Sequence, residues 1–305
     1  MIKFSWKSSL VKDEKVKFFL KRRGVSHRMF SIMKKFGGKI VINDQEVFTN
    51  DFIKPEQKIT IFMPDEKGNP DLVPDFNDDL KILYEDNNFL IVNKPPFLTT
   101  IPGPSDRKTT LINIVKAHLV KEDAPSKIPR VVTRLDRNTS GIVLFAKHKF
   151  AHTLLNRALM ERRDIKKYYI ALVSGNIKKN HGLINQPITR IEGDYIRRKV
   201  GEGGKESITE YWVQKRYQNF TEIKIQIHTG RTHQIRVHFA WLKHPLIGDE
   251  LYGGFSSPYI SRQALHASEI IFLDPFINKI RHFKAKLPDD ILETLKSASL
   301  KKSNF

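Results

Sequence analysis

A single aspartate in the middle of the chain is the strongest candidate for a reactive side chain. Asp136 lies in the segment IPRVVTRLDRNTSGIVLFAK, between two apolar runs and within a short polar loop of small residues. Such a loop is where a sheet presents a side chain to a cleft, and an ionised carboxylate there can act as a nucleophile or as a base. A lone aspartate in a loop is more often a turn or capping residue, so Asp136 needs partners to be interpreted as catalytic.

Two further segments supply candidate partners. KKYYIALVSG places Tyr168 and Tyr169 in a strand pattern, and HTGRTHQIRVHFAWLKHPLIGDELYGG contains Arg231 and Arg236. A tyrosine ring can hold a planar base and its hydroxyl can carry a proton, although a tyrosine that fills the core of a sheet is the simpler interpretation. Burial raises the pKa of a carboxyl group, whereas a neighbouring guanidinium keeps the carboxylate ionised and fixes its direction.

The arginine-containing segment also has several histidines, which raises the alternative of a metal centre. They are His228, His233, His238 and His244. His233 and His238 are five positions apart rather than four, no acidic residue stands between them, and the chain has no HExxH pattern. We therefore expect packed or hydrogen-bonded histidines, and we predict no metal and no other cofactor.

These segments together resemble those of a family of RNA-modifying enzymes. RLDRNTSGIVLFAK is similar to the signature of the RluA/RluD-type pseudouridine synthases, in which the aspartate after Arg-Leu is the catalytic residue. The resemblance implies that Asp136 is the nucleophile, that Tyr169 stacks on the target base and that Arg236 forms an ion pair with Asp136. The family usually has histidine where this chain has Thr133, a position that does not react. Two arginines are expected to contact RNA or to organise the site, namely Arg134 and Arg231.

Weaker matches extend the resemblance over roughly residues 80 to 290. IVNKPPFLTTIPG is similar to the opening strand and loop of the family's catalytic domain, and QALHASEIIFLDP to its closing strand. The strand patterns themselves are mostly alternating, whereas residues 149–163 and 232–243 have helical apolar spacing. The sequence therefore predicts an α+β catalytic domain on a largely antiparallel mixed sheet.

The distribution of charge divides the rest of the chain. The formal net charge is +20; residues 1–63 carry 14 basic and 6 acidic side chains, whereas residues 64–79 carry 6 acidic side chains and one lysine. The second stretch also has three prolines and is predicted to be a linker. We therefore expect an N-terminal domain at residues 1–63, a linker at 64–79, a catalytic domain at 80–297 and a basic tail at 298–305.

The N-terminal unit has a pattern that suits RNA. Two short helices separated by Gly24 precede KIVINDQEVF, which is predicted to form strand, turn and strand. This α/β arrangement resembles the alpha-L, or S-four-like, RNA-binding fold; an unrelated basic cap is the alternative. RRKVGEGGK, residues 197–205, is predicted to be a flexible loop that contacts RNA, or else the solvated tip of a hairpin. The predicted RNA-binding residues in these two regions are Arg22, Arg23, Arg28, Lys34, Lys35, Arg197 and Arg198.

The resemblance implies an isomerase that converts uridine to pseudouridine in a structured RNA. Large-subunit ribosomal RNA is favoured as substrate, and transfer RNA is the alternative. A non-catalytic RNA-binding or ribosome-assembly protein and a metal-dependent hydrolase are competing interpretations, and the basic surface alone suits any of them. The chain has no cysteine and shows no signal peptide or transmembrane run, so a cytoplasmic location is expected, and a monomer is the default.

Overall fold

A computed structural model describes residues 1–66, 68–76, 80–103, 109–161 and 165–300. Six α-helices and one short 3-10 helix occur in these residues: α1 Val16–Arg22, α2 His27–Lys35, α3 Leu111–Lys121, α4 Lys149–Met160, α5 Gln234–Trp241, the 3-10 helix Glu250–Tyr252 and α6 Asp289–Leu300. None of the helices in the described ranges has the length and apolar character needed to cross a membrane.

The same residues contain eighteen strands. The first eight are β1 Ile2–Lys7, β2 Glu14–Lys15, β3 Lys39–Ile42, β4 Gln45–Val47, β5 Phe52–Ile53, β6 Lys58–Met63, β7 Ile82–Glu85 and β8 Phe89–Lys94. The other ten are β9 Arg130–Val131, β10 Ser140–Ala146, β11 Ile165–Ser174, β12 His181–Asn185, β13 Ile188–Ile191, β14 Asp194–Val200, β15 Ile208–Arg216, β16 Phe220–Ile227, β17 Leu265–Asp274 and β18 Lys279–Lys284.

The N-terminal residues form a small four-stranded antiparallel sheet with two helices. Its strand order is β1-β6-β3-β4, and β6 alternates buried and exposed side chains as a strand with one solvated face does. Helix α2 begins after Ser26, whose hydroxyl accepts a hydrogen bond from the Met29 amide at 3.3 Å. Both predicted helices and the predicted strand-turn-strand segment are confirmed.

Aromatic packing joins this small sheet to the larger part of the chain. Phe150, at the start of α4, lies 4.9 Å from the ring of Phe4 and 6.3 Å from the ring of Trp6 between centroids. Glu66, in the predicted linker, accepts hydrogen bonds from Arg130 and from the Lys149 amide. The described part of the linker has no helix or strand, and it is held against the catalytic region rather than extended into solvent.

The larger sheet has ten strands and is the frame for the site. Its main order is β12-β15-β16-β11-β17-β10-β8-β7, with β18 paired to β17 and β9 paired to β10. All these pairings are antiparallel except β10 with β17, so the predicted α+β fold on a largely antiparallel mixed sheet is confirmed. Every residue of the central strand β10 is buried, as its uninterrupted run of apolar and small residues predicts.

Gly141 is required where β10 meets β17. Its φ is +113°, and a Cβ added there would lie 2.3 Å from the carbonyl oxygen of Ala267. Any other residue would push the two strands apart. The close approach fixes the start of β10, which is the segment that immediately follows the loop containing Asp136.

Two predictions from the sequence require correction. Arg197–Val200 do not form a flexible loop; they lie in β14, which pairs with β13, and only residues 201–205 connect β14 onward. Helix α6 continues to Leu300, so the first three residues of the predicted tail are helical. Residues 301–305 of the tail, and residues 67 and 77–79 of the linker, lie outside the described residues.

Candidate active site

Asp136 lies in the short loop between β9 and β10, and its side chain is 28% exposed. Its carbonyl accepts a hydrogen bond from the Thr139 amide at 3.1 Å, which closes the turn. The preceding residue, Leu135, is fixed by Thr100, whose buried hydroxyl donates to the Leu135 carbonyl at 2.8 Å. The carboxylate is therefore accessible although the backbone that carries it is fixed.

Lys94 holds the same loop from the end of β8. Its side chain is 1% exposed, and its ammonium group donates to the carbonyls of Pro95 and Leu98 at 2.8 Å and of Arg137 at 3.0 Å. Burial, together with the positive charge of Arg262, lowers the pKa of Lys94 to about 7. A buried lysine thus connects the residue after Asp136 to the strand that lies beside β10.

Arg262 holds the opposite side of the loop. Its side chain is fully buried and donates to the Asn138 carbonyl at 3.0 Å and to the Ser140 hydroxyl at 3.2 Å. Two further bonds, at 2.7 and 3.0 Å, reach the carboxylate of Asp290 on α6. A bidentate pair of this kind fixes the plane of the guanidinium, and therefore the position of the loop that it contacts.

Arg236 projects from α5 toward Asp136, but Asp136 is not its closest partner. Its guanidinium makes two hydrogen bonds to Asp249, at 2.7 and 2.8 Å, and lies 3.5 Å from the nearest carboxylate oxygen of Asp136. Burial alone would lower the pKa of Arg236, but the bonds and charge of Asp249, with Asp136, outweigh it and raise the pKa. Asp249 therefore aims a permanently charged group that also faces Asp136.

Tyr169 and its neighbour Tyr168 lie on different sides of β11. Tyr169 is 6% exposed and lines the cavity beside Asp136, whereas Tyr168 has the Lys224 ammonium 4.6 Å from the centre of its ring. A β-bulge between the two tyrosines lets Tyr169 pair with Ala267 of β17. Burial, and to a smaller extent the charge of Asp136, raises the pKa of the Tyr169 hydroxyl, so the hydroxyl stays protonated near neutral pH.

Two cavities meet at Asp136. The larger is about 720 Å³ and is lined by the Asp136 loop, by Tyr169 and by the segment that leads from β16 into α5. The smaller is about 270 Å³ and is lined by residues 136–138, by Ile196 and by residues 248–251 and 261–263. Asp136, Arg236 and His233 line both, so the carboxylate and its cation form part of the wall that separates the two spaces.

The four histidines of the C-terminal motif have separate partners. His228 lies 3.0 Å from Glu210, His233 2.9 Å from the Tyr252 hydroxyl, His238 2.8 Å from Thr209 and His244 2.7 Å from the Ser174 carbonyl. No cluster of metal-ligating side chains occurs among the residues that the structure describes. These contacts agree with the expectation of hydrogen-bonded histidines.

Among the four histidines, His233 lines both cavities. It occupies the N-cap position of α5 with a φ of +57°. The Tyr252 hydroxyl accepts the Arg198 amide proton at 3.0 Å, so its own proton can be donated to His233 Nδ1. Burial lowers the pKa of His233, although Asp136 opposes this shift. A neutral ring that accepts at Nδ1 carries its proton on Nε2.

The predicted RNA-binding residues lie in three places. Arg134 and Arg231 are exposed and line the larger cavity. Arg197 is exposed and pairs with Asp194, whereas the Arg198 side chain donates to backbone carbonyls within β14. The N-terminal group is on and around α1 and α2: Arg22 pairs with Glu14, Arg23 lies over the ring of Phe19, and Arg28, Lys34 and Lys35 are exposed.

Several residues of the site were not predicted. They are Lys94, Lys167, Asp249, Tyr252 and Arg262; Lys167 lines the larger cavity, and burial lowers its pKa to about 8. Lys94 gave one signal, because it directly follows the buried run FLIVN, where a charge requires a partner. Asp249 lies inside a quoted motif and Arg262 directly precedes another, but nothing in their spacing identifies the groups that they contact.

Comparisons with known proteins identify the family to which this chain is similar. Residues 88–241 match the family model described as RNA pseudouridylate synthase. The chain is 35% identical over 281 residues to the uncharacterized RNA pseudouridine synthase YjbO of Bacillus subtilis, covering 92% of this chain and 98% of the relative. It is 38% identical to ribosomal large subunit pseudouridine synthase D of Buchnera aphidicola, covering 78% of this chain and 79% of that protein.

A solved structure adds agreement in three dimensions. The human RNA pseudouridylate synthase domain containing 1 has 28% sequence identity to this chain and superposes with a TM-score of 0.58. The superposition covers 74% of this chain and 89% of the human one. The arrangement of the large sheet is therefore shared, whereas residues 1–63 lie outside the matched family model.

Proposed function

Since this chain belongs to the RluA-type RNA pseudouridine synthase family, we propose that it isomerises specific uridines of large-subunit ribosomal RNA with Asp136 as its catalytic carboxylate. The chain is an RNA pseudouridine synthase, an isomerase. The observation that carries the assignment of Asp136 is its position: a partly exposed carboxylate 3.5 Å from a buried guanidinium, on the wall of a cavity that also contains Tyr169.

The reaction rearranges the nucleotide without adding or removing atoms. The bond between ribose carbon 1′ and base nitrogen 1 breaks, the uracil turns, and carbon 5 bonds to carbon 1′; carbon 5 loses a proton and nitrogen 1 gains one. Asp136 either attacks carbon 1′ or base carbon 6, or removes the 2′ proton to give a glycal. Each route requires a directed carboxylate, and Arg236 together with the fixed loop would direct it.

The remaining residues of the site have roles that follow from their positions. A uridine in an RNA helix must be flipped out to reach the cavity, at a cost of about a few kcal/mol. Tyr169 would hold the uracil by its ring and present a protonated hydroxyl to it. Arg134 and Arg231, exposed at the larger cavity, would neutralise the phosphates beside the flipped nucleotide.

Ribosomal RNA is favoured over transfer RNA for two reasons. Relatives of 34 to 38% identity are named ribosomal large subunit pseudouridine synthase D. The basic helices α1 and α2, together with the overall charge of +20, provide a second surface for a large folded RNA. Assignment of residues 1–63 to the S-four-like fold, the cytoplasmic location and the monomeric state stay predictions.

Pseudouridine mapping in cells tests the proposal directly. Total RNA from cells that lack the protein is mapped by carbodiimide modification after complementation with wild type, with Asp136→Asn or with a control, Asp123→Asn, whose carboxylate is exposed. We expect specific ribosomal sites to return with wild type and the control but not with Asp136→Asn. Return of the sites with Asp136→Asn would refute the nucleophile, and sites confined to transfer RNA would refute the substrate.

The same variant separates catalysis from binding. Asp136→Asn keeps the size and polarity of the side chain and removes only the charge, so RNA affinity measured by filter binding is expected to stay within about twofold of wild type. A loss of binding would instead make Asp136 an RNA contact. A non-catalytic RNA-binding protein would bind equally well in both forms and restore no site in either.

A further inference from the structure

The smaller cavity has no role in the reaction as described so far. It is about 270 Å³ in volume, and Asp136, His233 and Arg236 line both this cavity and the larger one. The uracil is assigned to the larger cavity because Tyr169 is there. The smaller one adjoins the same carboxylate, so a nucleotide next to the target uridine lies within reach of it.

The wall of the smaller cavity includes an apolar side chain from an exposed strand edge. Ile196 of β14 lines the cavity and is 64% exposed, and its neighbour Tyr195 is 92% exposed. Exposed aromatic and branched apolar side chains beside a basic nucleic-acid site are what unstacked bases pack against. Ile196 thus provides the cavity with an apolar surface of the kind that a base requires.

This exposed edge is ordered by its own contacts. The Arg198 guanidinium donates to the carbonyls of Tyr195 and Ile196 at 3.1 Å and of Arg197 at 2.7 Å. The Arg198 amide donates to the Tyr252 hydroxyl at 3.0 Å, and the same hydroxyl contacts His233. The strand edge is therefore fixed relative to the catalytic residues before any RNA binds.

The polar lining of the cavity includes the buried side chains of Arg236 and Arg262, several acceptors and one exposed cation. Asn138 Oδ1 is buried and has no hydrogen-bond partner among the residues that the structure describes. The backbone carbonyl of Asn138 accepts a hydrogen bond from Arg262, so the backbone that carries this side chain is fixed. Glu250 is exposed and adds carboxylate oxygens, and Arg137 is exposed at the same cavity. A buried acceptor without a partner is costly unless a ligand supplies a donor.

We propose that the smaller cavity binds the base of the nucleotide next to the target uridine, and that this base carries an exocyclic amino group. The inference rests on the proposed function, because it assumes that the uracil occupies the larger cavity. Ile196 packs against the base, and the Asn138 side chain, which also lines the cavity, turns its unpartnered Oδ1 to accept a hydrogen bond from the amino group. Cytosine, adenine and guanine carry such a donor, whereas uracil does not. Arg137 neutralises the phosphate that joins the two nucleotides.

A double-mutant cycle between protein and RNA tests this assignment. The substrate is a synthetic RNA hairpin that contains a uridine modified in the mapping experiment, made intact or with an abasic residue on the 5′ or 3′ side. Single-turnover rates are measured below saturation for wild type, Ile196→Ala and a matched control, Leu183→Ala. Leu183 is 60% exposed on β12 and lines neither cavity.

We expect non-additive effects at one flanking position only. The abasic residue there should slow wild type and Leu183→Ala by about tenfold but should not slow Ile196→Ala further, because the same contact is already lost. Replacing the flanking base by uracil should slow wild type by about tenfold as well, and should have no effect on Asn138→Ala.

Two outcomes would overturn the inference while the proposed function stands. One is wild-type turnover that neither abasic residue affects; the other is a set of additive effects with Ile196→Ala at both positions. If instead wild type forms no pseudouridine in any cellular RNA, the proposed function fails first and the inference fails with it. Pseudouridine formation by wild type in the intact hairpin therefore distinguishes failure of the inference from failure of the proposed function.

Discussion

The loop that carries Asp136 and the basic face of α1 and α2 hold their charges in opposite ways. Around the loop, the side chains of Lys94, Arg236 and Arg262 are buried, and each has named acceptors at hydrogen-bond distance. On the N-terminal face, Arg28 and Lys34 are exposed to solvent. Cations are therefore fixed by buried acceptors in one region and exposed to solvent in the other.

The difference determines what a substitution does in each region. A buried cation that is removed leaves its acceptors without a donor in a poorly solvated place, so activity and stability fall together. An exposed cation acts on RNA through water and salt, so its removal lowers affinity without disturbing the fold. The following substitutions test this contrast, from the largest expected effect to the smallest.

Arg236→Ala should have the largest effect. It removes the cation beside Asp136 and leaves Asp249, which is 1% exposed, without its bidentate partner. We expect turnover to fall at least a hundredfold and the free energy of unfolding in urea to fall by about 3–5 kcal/mol. The double variant Arg236→Met with Asp249→Leu should recover stability but not turnover. Recovery of both would mean that Arg236 acts only in packing.

Lys94→Met should have the next largest effect, by loosening the loop. We expect kcat to fall by about tenfold while KM for RNA changes little, because the loop and not the RNA contact is altered. An exposed lysine on β18, Lys279, provides the matched control Lys279→Met. Equal loss of activity in both variants would contradict a role for the buried ammonium.

The lowered pKa of Lys94 predicts that the stability effect of Lys94→Met depends on pH. The pKa of Lys94 is about 7 in the folded protein, compared with 10.5 for an ordinary lysine such as Lys94 in the unfolded chain. Between these pH values the unfolded chain therefore binds more protons than the folded protein does. Stability therefore rises with pH across that window, and the cost of burying Lys94 is fully present below it. The difference in unfolding free energy between wild type and Lys94→Met, measured at pH 7 and at pH 9.5, should shift in favour of wild type. Parallel profiles would contradict the lowered pKa.

Tyr169→Phe should separate the ring of Tyr169 from its hydroxyl. The ring remains, so RNA affinity should stay within about twofold of wild type, while turnover falls because the protonated hydroxyl is lost. Tyr168→Phe is the control, since Tyr168 contacts Lys224 outside the cavity. A collapse of binding in Tyr169→Phe would point to a different base contact.

Substitutions on the N-terminal face should have the smallest effect. Lys34→Ala and Lys35→Ala are each expected to weaken RNA binding by a few fold and to lower the slope of log affinity against log salt by about one unit. Turnover at saturating RNA should not change. A fall in kcat, or an unchanged salt slope, would break the contrast between the two regions.

The parts of the molecule that the sequence could predict are those encoded locally. Apolar spacing and Gly24 predict helices α1 and α2. An apolar run directly after a polar loop predicts β10. The candidate residues Asp136, Tyr169 and Arg236 came from motif resemblance, and the structure brings all three to one cavity or its wall. Local pattern and motif were sufficient there because each signal is contained in one segment.

The parts that could not be predicted depend on contacts between distant segments. Asp249 is a stronger partner of Arg236 than Asp136 is, and no spacing rule joins the two. The loop predicted from Arg197 was wrong because three consecutive basic residues in β14 conceal its alternation, and strand pairing with β13 overrides composition. Lys94 and Arg262 acquire their roles only when β8 and the start of β17 flank β10.

The contact between Arg262 and Asp290 also sets an order of events during synthesis. The ribosome completes the Asp136 loop long before it reaches α6, and until Asp290 emerges the guanidinium of Arg262 has no carboxylate to fix it. A nascent chain thus carries its basic N-terminal face early but gains a directed carboxylate only near the end of translation. We expect messages cut short before residue 290 to yield chains that cannot modify RNA.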